Sequence, residues 1–216
     1  MNPIINPLAE TYINEYSTPL GNNLLEVYNK TLLKHPHQHL QSSWVQGQFL
    51  TFISQIAQPK AILEIGTFTG FSALCLAMGL HYTGELHTIE LREEDAHLAK
   101  ANFSISPKKN QIHLHIGNAI DIIPTLNKMW DIVFIDADKT SYINYYEMVL
   151  PFLNKTGFII ADNVLFHGQV LENEIKGKSA VAIHSFNEYV AQDDRTEQTI
   201  LSIRDGLMII KKKISE

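Results

Sequence analysis

Two apolar runs each end in acidic groups: Asp131-Ile-Val-Phe-Ile-Asp136-Ala-Asp138-Lys139 and Gly157-Phe-Ile-Ile-Ala-Asp162-Asn163. A strand covered on both faces of a sheet has this uniformly apolar composition, so the interior of each run carries no chemistry. The acids gather just past the C-terminal strand ends, where open α/β sheets place their ligand crevice. Asp136, Asp162 and Asn163 are hard oxygen donors suited to a cation such as Mg²⁺. Lys139 beside them is a group able to move a proton. Read singly, either segment is also a cap or a turn, because Asp and Asn favour both. Asp138 in particular would serve equally as the cap of a helix beginning near Thr140.

A second cluster precedes these. Leu63-Glu64-Ile65-Gly66-Thr67-Phe68-Thr69-Gly70-Phe71-Ser72 follows an apolar strand and enters a helix. Glycines at 66 and 70 let the backbone turn tightly and approach a ligand. The spacing is G-x-x-x-G, not the G-x-G-x-x-G that cradles a dinucleotide pyrophosphate. Glu64, just before the turn, would repel a pyrophosphate and attract an ammonium or sulfonium centre. Glu90 ends the next strand, the place from which a carboxylate grips ribose hydroxyls. A tight turn with a surface acid is the plain alternative.

The elements that position these groups alternate. Strands are expected at 60–65, 85–90, 111–116, 131–136 and 157–161, with helical patterns between them. That rhythm implies parallel pairing with right-handed crossovers. Gln198–Ile203 and Leu207–Ile210 flank Arg204-Asp205-Gly206, a hairpin signal, so the last strand should run antiparallel. Residues 1–58 read as an amphipathic helical extension with loops near 17–21 and 35–39. Residues 59–216 read as the catalytic core, and the whole chain as one domain. The expected class is α/β, a Rossmann-like, mostly parallel seven-stranded sheet with helices on both faces.

The motif Glu-Ile-Gly-Thr-Phe-Thr-Gly-Phe-Ser resembles the first motif of class I S-adenosylmethionine-dependent methyltransferases. With Asp136-Ala-Asp138-Lys139 and Asp162-Asn163, the chain resembles the cation-dependent O-methyltransferases, which include catechol and caffeoyl-CoA O-methyltransferases and small bacterial relatives. The likeness extends from Leu40 through Gly206, with further matches at Gly47-Gln-Phe-Leu50 and Asn144-Tyr145. It implies that Glu64, Gly66, Thr67 and Ser72 contact the methionine part of the cofactor. It also implies that Glu90 holds the ribose, where plant members usually carry Asp. Ala119 would line the adenine, Ser42 would lie near the cofactor's amino-acid end, and Asp136, Asp138 and Tyr145 match further cofactor contacts.

The same resemblance implies Asp136, Asp162 and Asn163 as ligands of Mg²⁺, Mn²⁺ or Ca²⁺, with Lys139 as catalytic base. A vicinal diol chelating the cation would be acidified, and Lys139 would take its proton before the phenolate attacks the sulfonium methyl. The implied acceptor is a catechol-like small molecule of caffeoyl or flavonoid type, and the implied assembly a homodimer. Methylation of a hydroxylated uridine in tRNA is an alternative on the same fold. A non-catalytic cofactor-binding module is another, as is a nicotinamide-dependent oxidoreductase, disfavoured by the missing G-x-G-x-x-G.

Bulk properties narrow the partners. With 17 basic against 23 acidic residues the net charge is −6, which counts against nucleic acid, though a single basic groove would suffice for tRNA. No apolar run approaches the ~20 residues of a membrane helix. Met1-Asn-Pro-Ile-Ile-Asn-Pro lacks the basic start and apolar stretch of a signal peptide, and a cytoplasmic location is expected. Cys75 stands alone in an apolar run and reads as a buried thiol. His35, His37 and His39 read as a solvated loop, and His113 and His115 as partly exposed neighbours on one strand face. Lys211–Lys213 reads as a solvated tail, Phe166 as a wall of the acceptor pocket, and 171–179 as a mobile loop.

Overall fold

Strand ends that must deliver carboxylates to one crevice need a sheet whose strands run the same way, and that sheet is present. The computed structural model describes residues 6–213, so most of the segment Met1–Pro7, weighed above as a signal peptide, lies outside the described residues. Three helices come first: α1 (Pro7–Tyr16), α2 (Asn22–Lys34) and α3 (Trp44–Ala57). Strands β1 (Ala61–Ile65), β2 (Glu85–Glu90), β3 (Ile112–Ile116), β4 (Trp130–Ile135) and β5 (Leu153–Asp162) follow. They are separated by helices α4 (Phe71–Ala77), α5 (Glu93–Ser104), α6 (Ala119–Leu126) and α7 (Tyr142–Val149). Helix α8 (Lys178–Ala191) then leads to the hairpin β6 (Thr196–Leu201) and β7 (Leu207–Lys212).

The seven strands form one sheet in the order β3-β2-β1-β4-β5-β7-β6. Strands β1 to β5 pair in parallel, and β7 runs antiparallel to both neighbours. The fold is therefore α/β and Rossmann-like, with the last strand reversed as the Asp-Gly turn implied. Within that hairpin β7 takes the inner place and β6 the edge. Order reverses between β1 and β4, the switch point at which such sheets bind ligands.

Two apolar layers cover the sheet. One face buries Leu63, Val133, Ile135 and Ile159 under Ile123, Tyr146 and Phe186 of α6, α7 and α8. The other buries Ile62, Ile132, Phe134 and Ile160 under Val27, Leu50, Leu76 and Phe103 of α2, α3, α4 and α5. The expected extension thus completes the core, since α2 and α3 roof the second face. A capping box starts α3, with Ser43 and Gln46 exchanging side-chain and backbone hydrogen bonds. Lys211 and Lys212 belong to β7 rather than to a tail: Lys211 pairs with Glu197 at 2.6 Å, and Lys212 Nζ donates to the Leu153 carbonyl at 2.6 Å.

The switch point depends on one residue without a side chain. Gly66 has φ +101°, and a Cβ there would lie 2.0 Å from the Asp136 carbonyl oxygen. The ends of β1 and β4 approach this closely only because position 66 is glycine. Gly66→Ala is expected to cost about 3 kcal/mol or more of folding stability in urea titration. A loss below about 0.5 kcal/mol would show that the two strand ends can part freely.

Candidate active site

The turn after β1 is held from three sides. Gly66 and Thr67 donate backbone hydrogen bonds to the Ile89 carbonyl at 3.0 and 3.2 Å, and Asp136 N donates to the Ile65 carbonyl at 2.9 Å. From the helical extension, the Thr31 hydroxyl meets the Thr69 hydroxyl at 2.9 Å. Phe68 adopts a left-handed φ of 50°, a strained conformation for a bulky side chain. Its ring lies under the Arg92 guanidinium, 5.7 Å from the centroid, and edge-on to His35. His35 thus departs from the solvated-loop expectation: its side chain is packed, with Nε2 2.9 Å from Asp95 Oδ1. His37 and His39 are exposed, as expected.

A cavity of about 860 Å³ runs from this turn across the strand ends. Ser42, Gly66, Thr67, Ser72, Glu90 and Ala119 line one part of it. Asp136, Asp138, Lys139, Tyr145, Asn163 and Phe166 line the rest. Glu64 and Asp162 do not line it: each is wholly removed from solvent, next in sequence to the lining residues Ile65 and Asn163. The residues singled out in the sequence therefore converge on one place.

Glu90 fixes both oxygens on the backbone, accepting from Phe68 N at 2.6 Å and Arg92 N at 2.9 Å. Burial pushes its pKa up, against the two amide bonds that lower it. Glu64 Oε2 accepts from the Thr88 hydroxyl at 2.5 Å, while Oε1 has no partner. Desolvation raises the Glu64 pKa to about 8, opposed by Thr88 and Ser72 and reinforced by Asp136 and Glu90. A buried acid with one bare oxygen under a glycine turn is matched to a cationic group, and it fits the sulfonium and ammonium of S-adenosylmethionine.

Asp162 is the second such acid. Its Oδ1 accepts from Asn163 N at 2.7 Å, and its Oδ2 has no partner. Desolvation and the nearby Asp136 raise its pKa to about 7, with Lys139, Arg204 and Gln46 opposing. Asn163 holds a left-handed φ of 59° and donates its side-chain amide to Asp205 Oδ2 at 3.2 Å, which leaves Oδ1 as its free acceptor. A buried carboxylate with one oxygen lacking a hydrogen bond, a second carboxylate near it and an amide oxygen make a donor set that fits a hard divalent cation.

Lys139 Nζ donates to Asp136 Oδ1 at 3.0 Å and to the Tyr142 hydroxyl at 2.6 Å. Tyr142, fully buried, passes the connection on to the carbonyls of Ile135 and Asp162 at 3.2 and 3.0 Å. Asp138 is held by Tyr145 at 2.7 Å and Thr140 at 2.8 Å. Burial would raise the Asp138 pKa, but hydrogen bonds from Tyr145, Thr140 and Ser141 outweigh it and lower the value. Asp138 holds the N-cap position of the short turn Lys139–Ser141 and also lines the cavity, so both roles open to it in the sequence stand.

Tyr142 and Asp205 escaped the sequence reading. Tyr142 was detectable as an aromatic three residues past Lys139, one helical turn away. Asp205 looked like turn chemistry alone, yet it accepts from Asn163 and from His167 N at 2.5 Å. Only the return of β7 beside β5 makes that contact, and no local signal carries it.

Fold and site together define an S-adenosylmethionine-dependent methyltransferase. The chain belongs to the O-methyltransferase family, whose model matches residues 14–213. It is 33% identical over 162 residues to the catechol O-methyltransferase of Niastella koreensis, covering 73% of each chain. A caffeoyl-CoA O-methyltransferase of Stellaria longipes is 26% identical over 205 residues, covering 90% of this chain and 85% of the relative. Among solved structures, the SAH-bound methyltransferase of Podospora anserina superposes with a TM-score of 0.91 at 26% identity, covering 99% of both chains. The Bacillus cereus O-methyltransferase in complex with SAH gives 0.86 at 28% identity, covering 95% of this chain and 97% of that one.

Glu64 and Asp162 give the ligand-free protein a pH signature. Their pKa values rise on folding, from ordinary values of 4.5 and 3.8 to about 8 and about 7. Across that interval the folded chain binds more protons than the unfolded one, so stability falls as pH rises and levels off above about pH 8. Scanning calorimetry of the ligand-free chain is expected to show this decline between about pH 4 and 8, with a shallower slope in Glu64→Gln. Identical slopes in the two proteins would contradict the assignment.

Proposed function

We propose that this O-methyltransferase transfers a methyl group from S-adenosylmethionine to one hydroxyl of a catechol-like small molecule, with help from a divalent cation. The carrying observation is the buried Asp162 carboxylate, whose Oδ2 makes no hydrogen bond, near Asp136 and Asn163 and close to Lys139 Nζ. Asp136, Asp162 and Asn163 would hold Mg²⁺, or Mn²⁺ or Ca²⁺, through oxygen, and two carboxylates balance its charge. When bound, the cation acidifies a chelated hydroxyl and the cofactor presents an electrophilic methyl group.

The chain's own residues do the rest. Glu64 sets a negative charge under the sulfonium end, with Gly66, Thr67, Ser72 and Ser42 around the methionine portion. Glu90 offers its remaining lone pairs to ribose hydroxyls, Ala119 leaves space for adenine, and Asp138, steadied by Tyr145, adds a polar contact. An ammonium has three donors, and Lys139 directs two at Asp136 and Tyr142. The third direction is left for the acceptor hydroxyl, and in the neutral amine it holds the lone pair that takes the proton. The relatives' names, catechol and caffeoyl-CoA, both denote an ortho-dihydroxylated ring, which supports the acceptor class.

The reading includes one domain working as a cytoplasmic homodimer. In support, α1, α2 and α3 leave Leu8, Tyr12, Tyr16, Leu33, Phe52 and Ile56 exposed, an apolar surface suited to a second copy. No described helix is long and apolar enough to cross a membrane.

Methylation of a generic catechol is expected to stop in excess EDTA and to return with Mg²⁺. Undiminished activity in chelator would remove the cation from the reading. Lys139→Ala is expected to lower turnover by roughly 10²–10⁴-fold, while the cofactor Kd from calorimetry moves less than about threefold. Turnover within tenfold of the parent would assign the proton to another group. A panel of catechols, flavonoids and tRNA assayed with labelled cofactor would test the acceptor class, and methylation confined to tRNA would overturn it.

A further inference from the structure

Three histidines and a glutamate gather on β2 and β3, away from the strand ends that carry the cavity. His87 pairs in register with His113 across the two strands, and Glu85 opens β2. Glu90 at the cavity end lies three positions beyond His87, roughly 10 Å along a strand. The ligating atoms of Glu85, His87 and His113 all lie within 4.8 Å of one another. Glu85 Oε2 is 3.2 Å from His87 Nε2 and 3.6 Å from His113 Nε2. Ligands at ~2.0–2.2 Å around a tetrahedral Zn²⁺ stand roughly 3.3–3.6 Å apart, so the carboxylate oxygen already has the required spacing to both rings.

Two further features point to a ligand. His87 is only 7% exposed, and its Nε2 lies 3.2 Å from Glu85 Oε2 without an aligned hydrogen bond. Its other nitrogen, Nδ1, is 2.9 Å from His115 Nε2. With the proton on Nδ1, shared toward His115, the lone pair of Nε2 faces Glu85 and His113, the arrangement that orients histidine for a metal. Burial lowers the His87 pKa and so favours the neutral, ligating ring. Lys128 occupies Glu85 Oε1, which leaves Oε2 for the cluster. The half-exposed His113 gives an entry path and room for water as fourth ligand.

We propose that Glu85, His87 and His113 form a second cation site, of the nitrogen–oxygen type that takes Zn²⁺, separate from the oxygen donors at the strand ends. The site does not depend on the methyl-transfer reading, because none of its ligands lines the cavity.

The test uses the full chain, stripped with EDTA and titrated with Zn²⁺ by calorimetry in excess Mg²⁺ to occupy the oxygen-donor site. One equivalent of Zn²⁺ is expected, with affinity at least tenfold weaker in His113→Ala and in Glu85→Gln and unchanged in Asp136→Asn. Trp130, whose ring centroid is 5.7 Å from that of His87, supplies a second readout. Its fluorescence is expected to be quenched by Co²⁺ in the parent and not in His113→Ala. No Zn²⁺ binding by the parent, equal binding by His113→Ala and Glu85→Gln, or loss in Asp136→Asn alone would overturn the proposal.

Discussion

Two carboxylates, Glu64 and Asp162, lie fully out of water, each with one oxygen that makes no aligned hydrogen bond. Burial disfavours the charged form, so both carboxyls hold their protons to higher pH than usual, and the deficit in stabilising positive charge is one that a bound cation can relieve. Much around the cavity serves to keep that deficit in place. Gly66 brings the β1 and β4 ends together above it, Tyr142 ties β4 and β5 beside it, and two apolar layers exclude water beneath. A surface acid would be solvated and indifferent to what arrives. These two are available only to groups that bring positive charge.

Much of this was legible in the sequence because its causes are local. Uniform apolar runs of strand length specify buried parallel strands, and the runs at 131–136 and 157–161 appear as Trp130–Ile135, shifted by one residue, and Leu153–Asp162, lengthened mainly at its N-terminal end. Glycine at 66 and 70 marked the turn. Asp205-Gly206 marked the reversal of β7. The acids at strand ends could be placed in one crevice from the α/β rule alone.

What stayed hidden depends on contacts distant in sequence. His35 looked like part of a solvated histidine run, but Asp95 and Phe68 from other elements surround it. Asp205 looked like a turn former and instead orients Asn163 across the β5–β7 ladder. His87 went unremarked inside a strand, since nothing in residues 85–90 announces that His113 stands beside it. Propensity and periodicity report what a segment does by itself, whereas strand order decides which polar groups meet.

The inner placement of β7 has a consequence for how the enzyme comes into being. A ribosome emits β1 through β5 first, and with them Glu64, Asp136, Lys139, Asp162 and Asn163. Yet β5 gains its second neighbour, and Asn163 its anchor on Asp205, only when the residues near 205–212 have emerged. Until then β5 presents an unpaired apolar edge, open to the wrong partner. The nascent chain thus holds nearly every chemical group of its site before it can hold them still, and competence waits for the closing hairpin.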